Sequence, residues 1–149
     1  ETEPALSPDG KTLAYISDRT GTPQVYLLNL ATKKTTRLTK KGNYNSSPSW
    51  SPDGTMIAYN GVRNSKSVIF RVLVDDPLGF ETQVSPKGMQ AESPVWSSDG
   101  SLVAYQAKRT GQQNWKIYYS LSSGSPAQRL TKSKRGVDET SPSWNSGLR

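Results

Sequence analysis

An all-β architecture of four-stranded antiparallel blades, a β-propeller, is predicted by three observations. Leu6-Ser7-Pro8-Asp9-Gly10 recurs as Trp50-Ser51-Pro52-Asp53-Gly54 and as Trp96-Ser97-Ser98-Asp99-Gly100. A proline precedes each copy, and Pro4, Pro48, Pro94 and Pro142 are spaced by 44, 46 and 48 residues, at or just beyond the ~40–45 residues of a four-stranded blade. Finally, strand-like segments keep the same phase in every unit, and no segment shows a helical period with caps.

Each element has a local reason. Ser-Pro-Asp-Gly is tight-turn chemistry, because Pro presets φ, Asp suits the second central position and Gly accepts positive φ. The turn joins a short inner strand to Leu13-Ala14-Tyr15, Ile57-Ala58-Tyr59 or Val103-Ala104-Tyr105. A third strand follows at Val25-Tyr26, Ile69-Phe70 and Ile117-Tyr118, and a weaker fourth at Arg37-Leu38-Thr39, Gln83-Val84-Ser85 and Arg129-Leu130-Thr131. In the first unit this predicts strands over residues 4–7, 12–17, 24–30 and 35–39. The predicted blades are 4–47, 48–93 and 94–141, with a partial closing strand over 142–149. The second unit departs through a longer loop, Asp75-Asp76-Pro77-Leu78-Gly79. Trp50, Trp96 and Trp144 share one repeat position and are expected to pack between neighbouring blades.

Composition removes several function classes. At 149 residues the chain can build a core without a staple. It has no Cys and no His, which excludes thiolate chemistry, disulfides, a self-contained Ser-His-Asp relay and the commonest zinc ligands. No cofactor, metal site or catalytic residue is expected, and the turn aspartates are read as serving the turn. No apolar run approaches the ~18 residues of a membrane helix, so membrane insertion is not expected. The net charge of +7 gathers at Lys33, Lys34, Arg37, Lys40 and Lys41 and again at Arg129, Lys132, Lys134 and Arg135. These clusters lack interleaved aromatics and match no nucleic-acid module, so a nucleic-acid partner is not expected.

In a meander of four strands, the second-to-third loops and the blade-to-blade connections share one face. Arg19, Arg63 and Arg109 each lie ten residues after a turn aspartate, which places them in those loops. Glu3, Glu92, Asp138 and Glu139 fall just before the first strand of a blade, and Tyr44, Asn45 and Gln90 join the same connections. One rim is therefore expected to alternate acids and guanidiniums, which either pair between blades and stiffen the ring or form a partner-binding surface.

With Pro-x-Trp-Ser-Pro-Asp-Gly, an apolar-Ala-Tyr strand, Gln-Val-Tyr and Arg-Leu-Thr, the sequence resembles the TolB-type, WD40-like propeller repeat family along practically its whole length. The resemblance implies a non-catalytic protein-interaction scaffold of the periplasm and cell envelope. In that family a six-bladed propeller binds the lipoprotein Pal around one mouth of its channel, so a Pal-like protein partner is implied. The alternative it leaves open is the accessory, substrate-gating propeller of a prolyl-oligopeptidase-like serine hydrolase whose catalytic domain lies elsewhere. The chain departs from the family pattern in having three blades instead of six and no counterpart of the family's N-terminal domain. Rings usually have about four to eight blades. Three are thus expected to be half of a longer propeller, or a subunit whose homodimer closes a six-bladed ring.

Overall fold

In the computed structural model, residues 1–124, 126–134 and 136–144 are described. Twelve strands form three sheets, each a four-stranded antiparallel meander in chain order. The first blade contains β1 (Thr2–Leu6), β2 (Thr12–Ser17), β3 (Gln24–Asn29) and β4 (Thr35–Arg37); the second contains β5 (Asn45–Trp50), β6 (Met56–Arg63), β7 (Lys66–Leu73) and β8 (Glu81–Gln83). The third contains β9 (Met89–Trp96), β10 (Leu102–Arg109), β11 (Lys116–Leu121) and β12 (Gln128–Arg129). The all-β propeller-blade reading holds, and residues 12–17 form a strand as predicted. The fourth strand ends at Arg37 because Thr39 turns inward. Its hydroxyl accepts the Val25 N–H at 3.1 Å and donates to Gln24 Oε1 at 2.8 Å.

The first strand of each blade is where the sequence reading placed the boundary too late. It starts before the proline, and Glu3, Asn45, Gln90 and Glu92 consequently lie in strands rather than connections. Proline donates no ladder hydrogen bond, yet the ladder resumes on its far side through a bulge. Glu3-Pro4, Ser47-Pro48 and Ser93-Pro94 each stand opposite a single residue, Tyr15, Tyr59 or Tyr105. The residue before the proline takes left-handed φ in every copy, at 53°, 52° and 56° for Glu3, Ser47 and Ser93. The bulge kinks the strand and lets both ends pair. Ser141, before Pro142, has φ 55° as well. Residues 142–144 carry no strand, and Asn145 with the rest of the expected closing segment lies outside the described residues, as does Arg135.

The three Ser-x-Asp-Gly turns are nearly superposable in their bonding. Ser7, Ser51 and Ser97 hydroxyls donate to Asp9, Asp53 and Asp99 at 2.6, 2.6 and 2.5 Å. The same serine oxygens accept the N–H groups of Thr12, Met56 and Leu102, each at 2.9 Å. Serine at 98 in place of proline changes none of this. Gly10, Gly54 and Gly100 sit at φ 71°, 72° and 73°, a conformation that side chains disfavour. These bonds, the serine hydroxyl first, hold the carboxyls below their ordinary value, with Asp99 at about 2. A depressed native pKa adds stability above the unfolded value and loses it as pH falls through the native one. The urea midpoint is therefore expected to hold down to about pH 4 and to fall between about pH 4 and 2. Asp99→Asn should reduce that fall; an identical acid dependence in the variant would contradict the assignment.

Two apolar seams bind the blades. Ala14, Ile16, Val25, Leu27 and Leu38 meet Ile57, Tyr59, Val68, Phe70 and Val72 between the first two blades. Ala58, Ile69 and Val84 meet Trp96, Val103 and Tyr105 between the second and third. Neighbours along β6 thus serve opposite seams, Ile57 and Tyr59 one way and Ala58 the other, as strand alternation requires. Trp50 and Trp96 pack between blades as expected, whereas Trp144, the third tryptophan at this repeat position, is exposed. Trp50 Nε1 donates to Ala5 O and Trp96 Nε1 to Ser49 O, both at 2.9 Å, so each indole reaches the inner strand of the blade before it.

Candidate functional site

The loops joining the second and third strands of each blade and the blade-to-blade connections come together at one end of the sheets. Contacts establish this directly: Arg63 reaches Lys41 O at 3.1 Å, Val62 N–H donates to Tyr44 O at 2.9 Å, and Thr110 N–H donates to Gly88 O at 3.1 Å. The rim contains the expected residues but uses them unequally.

Of the three repeat-equivalent arginines, Arg19 is exposed and held from three sides. It bonds Glu1 at 2.5 Å and Tyr15 Oη at 2.8 Å, and its guanidinium lies 5.5 and 4.8 Å from the Tyr15 and Tyr26 ring centroids. Arg63, at the end of β6, is pulled inward. It pairs with Glu81 at 2.7 Å, donates to Asn45 Oδ1 at 3.2 Å and Val62 O at 3.0 Å, and stacks 4.6 Å from the Phe70 centroid. Gly42 makes room for it, since a Cβ there would stand 2.0 Å from Arg63 Nη1. Arg109 closes β10 and is exposed, and among the described residues its guanidinium has no hydrogen-bond or ion-pair partner.

The expected alternation of acids and guanidiniums does not form as pairs. Glu3, Glu92 and Asp138 accept from N–H groups instead, and Glu139 pairs with a lysine. Glu3 accepts the Ser47 N–H, where the left-handed backbone turns it toward the preceding blade. Glu92 accepts from Gln106 Nε2 at 3.4 Å, and Gln106 Oε1 in turn accepts the Ser141 N–H at 3.0 Å. Asp138 accepts from Trp115 N at 2.8 Å and Asn114 Nδ2 at 3.2 Å, bonds that lower its pKa. Glu139 accepts from the Thr131 hydroxyl and lies 3.7 Å from Lys116 Nζ; the hydroxyl bond leads in lowering its pKa. Tyr44 is exposed and Gln90 half-buried, whereas Asn45 is fully buried.

The burial of Asn45 exposes a pattern that composition alone conceals. Its Nδ2 donates to Gln24 Oε1 at 2.7 Å and Lys41 O at 2.9 Å. With Thr39 this makes a closed amide network beneath the rim. The matching positions are Val68, Ser85 and Ala91 in the second copy of the repeat, where Ala91 already belongs to β9 of the third blade, and Lys116, Thr131 and Glu139 in the third copy. One locus is thus filled by amides, by Val68 and Ala91 beside a serine whose hydroxyl accepts the Ile69 N–H at 3.0 Å, and by an ion pair. Each set is internally matched, which avoids leaving a buried polar group alone. The paired exchange of Gln24 for Lys116 and Asn45 for Glu139 between repeats is the signal in the sequence that marks these residues.

Chemically, the rim offers cations, amides and a tyrosine on fixed loops. Among the described residues, no three Asp or Glu side chains cluster to hold a metal ion, and no helix is long and apolar enough to cross a membrane.

Comparisons agree with this architecture. Residues 1–148 match the family model described as the TolB beta propeller domain. The Tol-Pal system protein TolB of Francisella tularensis subsp. mediasiatica is 49% identical over 55 residues, covering 37% of this chain and 13% of that protein. A putative TolB from Agrobacterium tumefaciens superposes with a TM-score of 0.79 at 28% identity, over 89% of this chain and 47% of that one. TolB from Acinetobacter baumannii gives 0.74 at 25% identity, over 92% and 33%. The chain spans about an eighth of the curated relative's length and less than half of each solved one.

Proposed function

The chain belongs to the TolB β-propeller family, and on that premise we propose that it is a non-catalytic scaffold of the bacterial envelope whose loop rim docks a protein in the periplasm. A relative is named as a Tol-Pal system protein, so the partner class we propose is a Pal-like lipoprotein. Under the same proposal a second three-bladed copy completes a six-bladed ring.

Arg109 carries this reading. Two of its repeat equivalents are tied down, and it alone of the three presents an unpaired guanidinium to solvent among the described residues. Arginine and tyrosine on rigidly supported loops are favoured interface anchors. Arg109 and exposed Tyr44 meet that description, Arg19 is a pre-stacked contributor, and Arg63 and Asn45 support the loops from below.

Titration of the full chain with a purified Pal-like protein tests this. Arg109→Ala with Tyr44→Ala should weaken binding at least about tenfold, the scale of one or two anchor residues, without changing the urea midpoint. Unchanged affinity removes the rim from the interface. Serine-hydrolase activity reconstituted by adding this chain to a separate catalytic domain would instead favour the substrate-gating alternative.

A further inference from the structure

The loop that interrupts the repeat in the second blade is longer than its counterpart in the first. Residues 74–80 join β7 to β8, and the corresponding turn of the first blade, residues 30–34, is two residues shorter. The inserted loop is built firmly. Asp76 accepts the N–H groups of Leu78 at 2.9 Å and Phe80 at 2.8 Å, and Gly79 N–H donates to Asp76 O at 3.2 Å. Gly79, at φ 64°, is pressed onto the first blade so closely that a Cβ would lie 2.6 Å from Lys40 Cγ.

What this framework holds up is Leu78 and Phe80, 67% and 66% exposed. Single exposed apolar residues are ordinary, but a neighbouring pair beside a concavity is a mark of recognition. Between the loop and β4 runs a cleft of about 310 Å³ with Leu27, Leu38 and Val74 in its lining. Its rim on the first blade is cationic through Arg37 and Lys40, continued by Lys33, Lys34 and Lys41. Among the described residues none of these five forms an ion pair. Arg37 Nε donates to Thr39 O and Lys40 Nζ to Arg37 O, both at 2.7 Å, bonds that hold the two charges in place without neutralising them. The carboxylates in the lining are Asp75 and Asp76, and the latter is spent on the loop backbone.

We propose that this cleft is a second docking surface, separate from the loop rim, for an acidic protein segment carrying one or two large apolar side chains. The apolar anchor would enter the cleft between Leu27, Leu38, Val74 and Pro77, while its acidic neighbours meet Arg37 and Lys40. Leu78 and Phe80, which follow Pro77 on the loop outside the lining, would cover the anchor from the edge. A concave lining favours a peptide over a lipid surface, which a convex apolar tip would suit better.

The probe is a fluorescein-labelled peptide of four glutamates flanking a Leu-Phe centre, titrated into the full chain. Saturable binding is expected, weakened at least about tenfold by Leu78→Ser with Phe80→Ser and by Arg37→Glu with Lys40→Glu, and reduced by added salt. Arg109→Ala should leave it unchanged, which separates this surface from the rim. The sheet circular-dichroism signal checks folding, and Leu78→Ser alone substitutes if the double variant loses it. No saturation below about 1 mM, equal binding by the variants, or binding of phosphatidylglycerol vesicles without the peptide would overturn the proposal.

Discussion

Arg63→Ala should destabilise the chain by about 3 kcal/mol, the cost of breaking a largely buried ion pair by removing one partner. The side chains of Arg63 and Glu81 are 21% and 10% exposed, so solvent screens the pair only in part. Loss of the guanidinium also strands the Glu81 carboxylate, which among the described residues then keeps only the Tyr59 hydroxyl, at 2.6 Å. That hydroxyl is already held well above its ordinary pKa, by burial first and by Glu81 second. It cannot yield its proton to compensate. Asn45 Oδ1 and Lys41 O lose a donor as well. Arg63→Lys should recover less than half of the loss, because an ammonium cannot reach Glu81, Asn45 and Lys41 O together as a planar fork does. Urea denaturation followed by tryptophan fluorescence measures both variants. A loss under about 1 kcal/mol for the alanine variant, the scale of an exposed pair, would mean that the network contributes little.

Trp96→Ala should cost about 4 kcal/mol, within the range for emptying an aromatic site in a core. Trp96 is buried in the seam of the second and third blades, where it packs with Val103 and Tyr105. Its indole also satisfies Ser49 O. Trp96→Phe separates the two contributions, since it keeps most of the packing and forfeits about 1 kcal/mol with the missing donor. At the equivalent positions Trp50 is half-buried, while Trp144 is exposed and Leu6 is 56% exposed. Alanine substitution should therefore cost progressively less from Trp96 to Trp50 to Leu6. Equal losses at all three positions, by the same denaturation measurement, would show that the seams do not govern stability.

Much of this molecule was readable before any coordinates because the repeat reports the same physics three times. Ser-x-Asp-Gly gives its turn from within four residues, and its three copies agree to about a tenth of an ångström in hydrogen-bond length. The face carrying the arginines follows from strand order alone. What one repeat position does in different blades is not local. Arg19, Arg63 and Arg109 look alike in sequence, and their fates depend on Glu1, on Glu81 and on the absence of either at Arg109. The assignment of Asn45 to the surface failed for a similar reason. An amide next to an exposed tyrosine reads as loop, but Gln24 and Thr39, far away in sequence, supply the partners that let it be buried. The early start of each inner strand was hidden by proline, whose lack of an N–H signals a boundary unless a bulge carries the chain past it.

The left-handed residue before each proline carries a lesson about modularity. Ser141 adopts the conformation of Glu3, Ser47 and Ser93 although no strand is formed over residues 141–144. Among the described residues the bend thus stands without strand pairing beside it, with Gln106 of the blade behind accepting its N–H. The bend is a property of each unit's own entry, since Glu3 adopts it with no described blade before it, and the preceding blade adds an acceptor at Ser47 and Ser141. A gene that gains or loses one whole unit keeps its junctions intact, whereas a cut inside a unit separates a bend from its acceptor.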